Sequence, residues 1–97
     1  MYAQMIIGEV IAADCSVIRE FQSLYKEEIE PELMRQPGCI SPALLVEEGG
    51  RMVVIFTIWD GRDRCFQYRA SAAYRQLVSR TSHLLAGDFV LKWFRME

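Results

Sequence analysis

Met52–Trp59 reads MVVIFTIW and runs straight into Asp60–Arg64, DGRDR. Seven of those eight residues are apolar and the eighth is a threonine. A strand with one dry and one wet face alternates between apolar and polar side chains. This strand has no wet face, so both of its sides need cover. With 97 residues in the chain, the question that decides the fold is what supplies the second layer.

Upstream lies Glu47–Arg51, EEGGR, a hairpin turn in which glycine supplies positive φ. The turn joins the strand to an earlier one over 39–47, CISPALLVE. Pro42 lacks an N–H, which predicts an edge strand or a bulge there. QPG at 36–38 ends the preceding segment, SVIREFQSLYKEEIEPELMRQ, whose spacing is helical. Val17, Phe21, Leu24 and Glu28 fall on one line, with Ile18, Tyr25 and Ile29 beside them. Acids and Lys26 fill the other side, so the helix is amphipathic. Asp14 or Ser16 caps its start, and Pro31 kinks it or begins a last short piece. At the N-terminus, residues 3–12 read as a strand with Ile6 and Val10 on one face and Met5, Ile7 and Ile11 on the other.

Downstream, DGRDRCFQYRAS carries a turn and a short helix. Ser71 caps another helix, AAYRQLVSRTSHLL, with Tyr74, Leu77, Val78, Leu84 and Leu85 inward, and Gly87 stops it. FVLKWFRM is a last strand, with Phe89, Leu91 and Trp93 on one face and Val90, Lys92 and Phe94 on the other. The order is β-α-β-β-α-β, a ferredoxin-like α+β fold with one four-stranded antiparallel sheet and its helices on one side. The whole chain, 1–97, is one domain. The sheet's other face is also apolar, and a patch of that size marks an interaction surface. A second copy laying its sheet against this one, at the ~10 Å spacing of packed sheets, is the expected cover. A charge placed at Ile55 or Ile58 tests this, since one of the two points at the partner sheet.

Composition narrows the function classes. The chain is 52% hydrophobic and 25% charged, with 11 Lys plus Arg against 13 Asp plus Glu and a net charge of −2. That is globular and slightly rich in apolar residues. No basic block offers a nucleic-acid footprint, and no apolar run approaches the ~20 residues of a membrane span. Cys15, Cys39 and Cys65 are odd in number and lack CxxC spacing. They read as reduced thiols of a cytoplasmic protein, with no disulfide framework and no metal site. The N-terminal segment lacks the basic region of a signal peptide. No phosphate loop and no GxSxG is present.

The stretch QPGCISPALLVEEGGRMVVIFTIWDGRDRCFQYRASAAYRQLV resembles the antibiotic biosynthesis monooxygenase family. The shared pattern is PG after the first helix, a strand, a turn, and a strand ending in aromatic-x-x-Trp-Asp. A short helix, a serine-centred break and a second helix follow, and LKWFRM fits the closing strand. The resemblance implies a dimeric α+β barrel, in agreement with the two-faced strands. Members of the family oxidise electron-rich polyphenols, quinols or anthrones with O₂ and no metal or flavin; others degrade haem or have other roles.

A cofactor-free oxygenase holds a flat aromatic in a dry slot, manages one proton and stabilises the anion that forms. On that basis Trp59, Tyr68, Tyr74 and His83 are the candidate catalytic residues. Phe56, Phe66, Arg69 and Arg75 are the candidates for binding a small aromatic substrate. Each also has a purely structural reading. Trp59 fixes the strand as a core aromatic, the tyrosines carry their hydroxyls at a rim, the arginines face solvent, and His83 sits where a helix C-terminus welcomes a cation. The haem-degrading branch uses an Asn, Trp and His constellation. This chain has no asparagine, and that branch's second Trp and its His fall near Tyr68 and Val78. Haem binding or degradation is therefore the weaker reading. The alternative from another class is a dimeric small-molecule-binding or structural domain without turnover. If Phe56, Phe66 and Trp93 fill the space between sheet and helices, that alternative gains.

Overall fold

The computed structural model describes all 97 residues, Met1–Glu97. Along Met52–Trp59 (β3) burial alternates residue by residue. Val53, Ile55, Thr57 and Trp59 are at most 1% exposed, whereas Met52, Val54, Phe56 and Ile58 stay partly open. The strand therefore has two unlike apolar faces, and one is covered within the chain.

Three further strands flank it: β1 (Tyr2–Glu9), β2 (Cys39–Val46) and β4 (Val90–Arg95). The sheet order is β2-β3-β1-β4, with every pair antiparallel. This is the expected ferredoxin-like α+β sheet. Directly opposed residues share a face, so the register reads off both surfaces. On the covered side one row across the sheet is Pro42, Thr57, Gln4 and Trp93, and the next is Leu44, Ile55, Ile6 and Leu91. On the open side lie Ala43, Leu45, Val54, Phe56, Ile58, Ala3, Met5, Ile7, Val90 and Phe94. Of the two isoleucines singled out above, Ile58 is the one on the open face; Ile55 is sealed beneath the helices.

The covering layer is α1 (Cys15–Leu24), a π-helical turn (Tyr25–Ile29), α2 (Glu30–Met34), α3 (Arg62–Arg69) and α4 (Ala72–Thr81). Asp14 caps α1, its carboxylate accepting from the Ser16 N–H at 2.7 Å. Phe21, Tyr25, Ile29 and Leu33 are all buried and stand four residues apart. In an α-helix that spacing drifts by about 40° per step. The wider π turn between Tyr25 and Ile29 offsets the drift and keeps the four on one stripe. It also spans the approach to Pro31, which begins the last short piece with no N–H to place. Pro42 sits on edge strand β2, just after a register shift between Cys39 and Ser41. Gly38 adopts φ +86, and a Cβ there would lie 2.6 Å from Asp60 and 2.7 Å from Arg64. The turn before β2 is thereby pressed against the start of α3, and the Asp60 N–H donates to the Gly38 carbonyl at 2.9 Å.

Two expectations are corrected. β1 ends at Glu9 rather than at residue 12. Beyond it, Val10 donates its N–H to Arg51 O, Ile11 donates to Leu84 O, and Ala86 donates back to Glu9 O. The chain has turned to meet the segment after α4, and Ile11 is left 50% exposed. In α4 the inward stripe is Leu77 and Thr81 rather than Val78. The Thr81 hydroxyl satisfies itself by donating to the Leu77 carbonyl at 2.8 Å, so a polar residue is buried without penalty. The helix stops there, and Ser82–Leu84 is a 3₁₀ turn. Phe89 precedes β4 and packs over Gly8, where an added Cβ would come within 2.7 Å of its ring.

Candidate active site

The covered face ends in a file of aromatic rings. Trp59, at the end of β3, stacks on Tyr68 of α3 with ring centroids 5.3 Å apart. Tyr68 meets Tyr74 of α4 edge to face at 5.8 Å. Toward the β4 edge, Phe66 meets Trp93 edge to face at 5.5 Å. The break between α3 and α4 makes this possible. Ser71 caps α4 by accepting from the Tyr74 N–H at 3.3 Å, and its hydroxyl donates to the Tyr68 carbonyl. The Ser-centred corner thus places two tyrosines from two helices side by side.

Between these helices and β4 lies an open cavity of about 680 Å³ lined by Phe66, Arg69, Ala70, Tyr74, Arg75 and Trp93. Its size suits a small organic ligand. Phe66 and Trp93 wall the cavity rather than filling it. The Arg69 guanidinium lies over the Trp93 ring at 5.3 Å, a cation–π arrangement. Arg75 is held by donating to the Ala70 carbonyl at 3.2 Å. Two cations therefore face an aromatic slot, and neither a carboxylate nor an imidazole lines it. Burial holds the Tyr74 phenol above its usual pKa, with Arg69 drawing it back and Asp88 adding to the rise. At neutral pH Tyr74 is a hydrogen-bond donor and not a base.

Of the residues singled out from sequence, Phe66, Arg69, Tyr74 and Arg75 come together here. Tyr68 stands behind Tyr74, 3% exposed, with its pKa raised by burial first and by Tyr74 second. Trp59 is fully buried, and its indole N–H is engaged in donating to Thr57 Oγ1 at 2.8 Å. His83 lies apart, in the exposed 3₁₀ turn, 3.3 Å from the Glu20 carboxylate. Phe56 belongs to the opposite face of the sheet. Trp93 completes the slot and was not among the sequence candidates. Its signal was present in the alternation of FVLKWFRM, which puts Trp93 on the covered face of an edge strand.

A second cleft, of about 420 Å³, lies at the other end of the sheet and includes Glu9, Glu47, Arg51 and Asp88. Arg51 is paired there with Glu9 at 2.7 Å. It has no aromatic lining, and the Trp93 slot is the better seat for a flat apolar ligand.

An α+β sheet with its helices on one side and an aromatic, cation-flanked slot beneath them is the class of domain that these features define. The antibiotic biosynthesis monooxygenase family model matches residues 16–80, and the chain belongs to that family. Solved structures with the same fold include the monooxygenase ActVA-Orf6 of Streptomyces coelicolor in complex with nanaomycin D. It is 17% identical with a TM-score of 0.80, over 99% of this chain and 87% of that one. The cofactor-independent oxygenase SnoaB of Streptomyces nogalater is 18% identical with a TM-score of 0.78, over 99% and 92%. A conserved protein from Methanosarcina mazei is 20% identical with a TM-score of 0.77, again over 99% and 92%. No curated protein matches the chain significantly. No helix is long and apolar enough to cross a membrane.

Proposed function

We propose that this chain is a homodimeric, cofactor-independent monooxygenase acting on a small electron-rich aromatic of the quinol or anthrone kind. The observation that carries the reading is the Phe66–Trp93–Tyr74 slot with Arg69 and Arg75 at its rim. Such a substrate supplies its own electrons once it loses a proton. The two guanidinium groups favour the anion electrostatically, and the Tyr74 hydroxyl donates to the oxygen on which the charge develops. For an anthrone-type carbon the balance is CH₂ plus O₂ giving C=O plus H₂O. One oxygen atom enters the product and the other leaves as water. ActVA-Orf6 binds nanaomycin D and SnoaB is a cofactor-independent oxygenase, and both facts support the reading.

The second copy enters through the open face. The chain leaves that face partly uncovered, with Leu45, Val90 and Phe94 about half exposed, and a like face laid over them is the simplest burial. The test of the reaction is incubation with a hydroquinone and anthrone panel in air and under anaerobic conditions. Oxidation of at least one compound in air only is expected; equal turnover without O₂ removes the oxygenase reading. A second reading is ligand binding without turnover. It is favoured by one observation: the slot has no base, and His83 lies outside it. Stoichiometric binding of the panel with no product in air would establish it.

A further inference from the structure

The charge around the slot is one-sided. Arg69 and Arg75 line the cavity, and a third guanidinium, that of Arg62, lies over the Phe66 ring at 5.2 Å, much as Arg69 lies over Trp93 at 5.3 Å. None of the three is in an ion pair, whereas Lys26, Arg35, Arg51 and Arg95 each have a carboxylate partner. Acids are not scarce: the chain has 13 Asp plus Glu against 11 Lys plus Arg. None of those acids lines this cavity. Cations gathered on an aromatic wall without a counter-charge suit an anion that arrives with the ligand.

The two arginines of the lining stand in different relations to the slot. Arg69 rests on the Trp93 ring and is close enough to Tyr74 to draw the phenol pKa down against burial. It acts where the charge of the proposed reaction develops. Arg75 is not among the groups that act on Tyr74. It stands exposed in the first turn of α4 and donates one N–H to the Ala70 carbonyl at 3.2 Å. A guanidinium offers a planar fork of several N–H donors, so that single bond orients the group and leaves most of the fork unused. Carboxylates match such a fork with two parallel hydrogen bonds.

We infer that Arg75 is a specificity-determining residue of the slot and selects aromatic carboxylates, its guanidinium pairing with the carboxylate while the ring lies among Phe66, Tyr74 and Trp93. The inference rests on the slot being a ligand site, as the proposed function requires. It adds a permanent anion on the substrate, remote from the carbon that reacts, and leaves Arg69 to the charge that forms there. The carboxylate is met at the open rim, so the pair is partly solvated and its contribution is modest and weakened by salt.

The test compares 2-naphthoate with 2-naphthalenemethanol, which share a ring system and differ in carrying a carboxylate or a neutral alcohol. Water solvates the carboxylate better, so a purely apolar slot prefers the alcohol. Calorimetric titration of the intact protein in low salt is expected to show the reverse, with 2-naphthoate bound about fivefold more tightly. Arg75→Gln is expected to abolish that preference, with the loss falling on 2-naphthoate. Arg62→Gln removes the same charge from a residue outside the cavity lining and is expected to keep it. A preference that survives Arg75→Gln, or that falls as far in Arg62→Gln, would overturn the inference, the latter by making the attraction a diffuse field. Equal losses for both compounds in Arg75→Gln, with a lowered thermal midpoint, would make Arg75 a strut for the corner after α3 and overturn it too. A wild type that binds the alcohol at least as tightly overturns the inference while the slot stands. If the wild type binds neither compound the inference falls as well, and the hydroquinone and anthrone panel, which carries no carboxylate, decides the proposed function separately.

Discussion

The two faces of one sheet use almost the same amino acids for opposite ends. On β3 the covered side is Val53, Ile55, Thr57 and Trp59, and the open side is Met52, Val54, Phe56 and Ile58. Thr57 aside, both sets are apolar, each with one larger ring. The covered side also holds polar atoms: Thr57, Gln4 and the two indole N–H groups. The open side has only Lys92, Ser41 and Glu9 at its margins. Apolar surface without polar atoms is suited to non-directional burial against another copy. Apolar surface with a few placed polar groups is suited to recognising a small molecule. Hydrophobicity gives both faces surface to cover; the placed polar atoms are what the proposed ligand side has and the proposed dimer face lacks.

The sharpest way to break that contrast is to charge each face in turn. Ile55→Glu puts a carboxylate beneath the helices, where nothing can pair with it, and should destabilise the monomer by at least about 3 kcal/mol. Ile58→Glu on the open face should leave helical and sheet signals intact while converting dimers to monomers. Circular dichroism and light scattering separate the two. A folded dimer from Ile58→Glu would remove the open face as the interface.

The covered face should also show itself at high pH. Burial pushes the Cys65 thiol from 9.0 up to about 11, with the Trp93 indole partly opposing the rise. The unfolded chain loses this proton first, so stability is full below about pH 9 and falls as pH climbs toward 11. Two units correspond to at most about 3 kcal/mol. Tyr68 and Tyr25, also raised by burial, add to the loss beyond pH 10. In Cys65→Ala the onset of the decline should move from about pH 9 to about pH 10, as read by urea melts across that range. An unchanged onset would show that the thiol does not ionise on unfolding as described.

Arg69 joins the rim of the slot to its wall. Arg69→Met keeps most of the contact with Trp93 and removes the charge. Turnover or binding of an acidic phenol should fall about tenfold, and binding of an uncharged arene should change little. His83→Ala should do least. The imidazole is exposed and paired only with an exposed glutamate, so stability should shift by less than about 0.5 kcal/mol and turnover should hold. A large loss of turnover would return His83 to the site.

The fold was legible because its signals are local: the GG hairpin at 49–50, the caps at Asp14 and Ser71, the PG turn, and the double-sided runs of β1 and β3. The site was legible in part. Phe66, Arg69, Tyr74 and Arg75 follow one another across a helix break, and helical phase alone brings them close. The place of Trp93 was harder to read, because its cross-strand neighbour Gln4 is some ninety residues away and becomes adjacent only after β1 and β4 pair. Phe56 was misplaced for the reason that opened the sequence reading. In a strand apolar on both faces, periodicity does not say which face the helices take. The helix of His83 ends a turn early, at Thr81, and that sets the imidazole outside the slot.

The most direct test of the central claim is to close the slot from its rim. Ala70 lines the cavity at the exposed end of α3, so Ala70→Trp fills the entrance without entering the core. Oxidation of an anthrone under ¹⁸O₂ would be followed by mass spectrometry for both proteins. The account predicts one labelled oxygen atom in the wild-type product and loss of at least nine-tenths of the turnover in a folded Ala70→Trp. Equal turnover by the blocked variant, or a product without label, would contradict it.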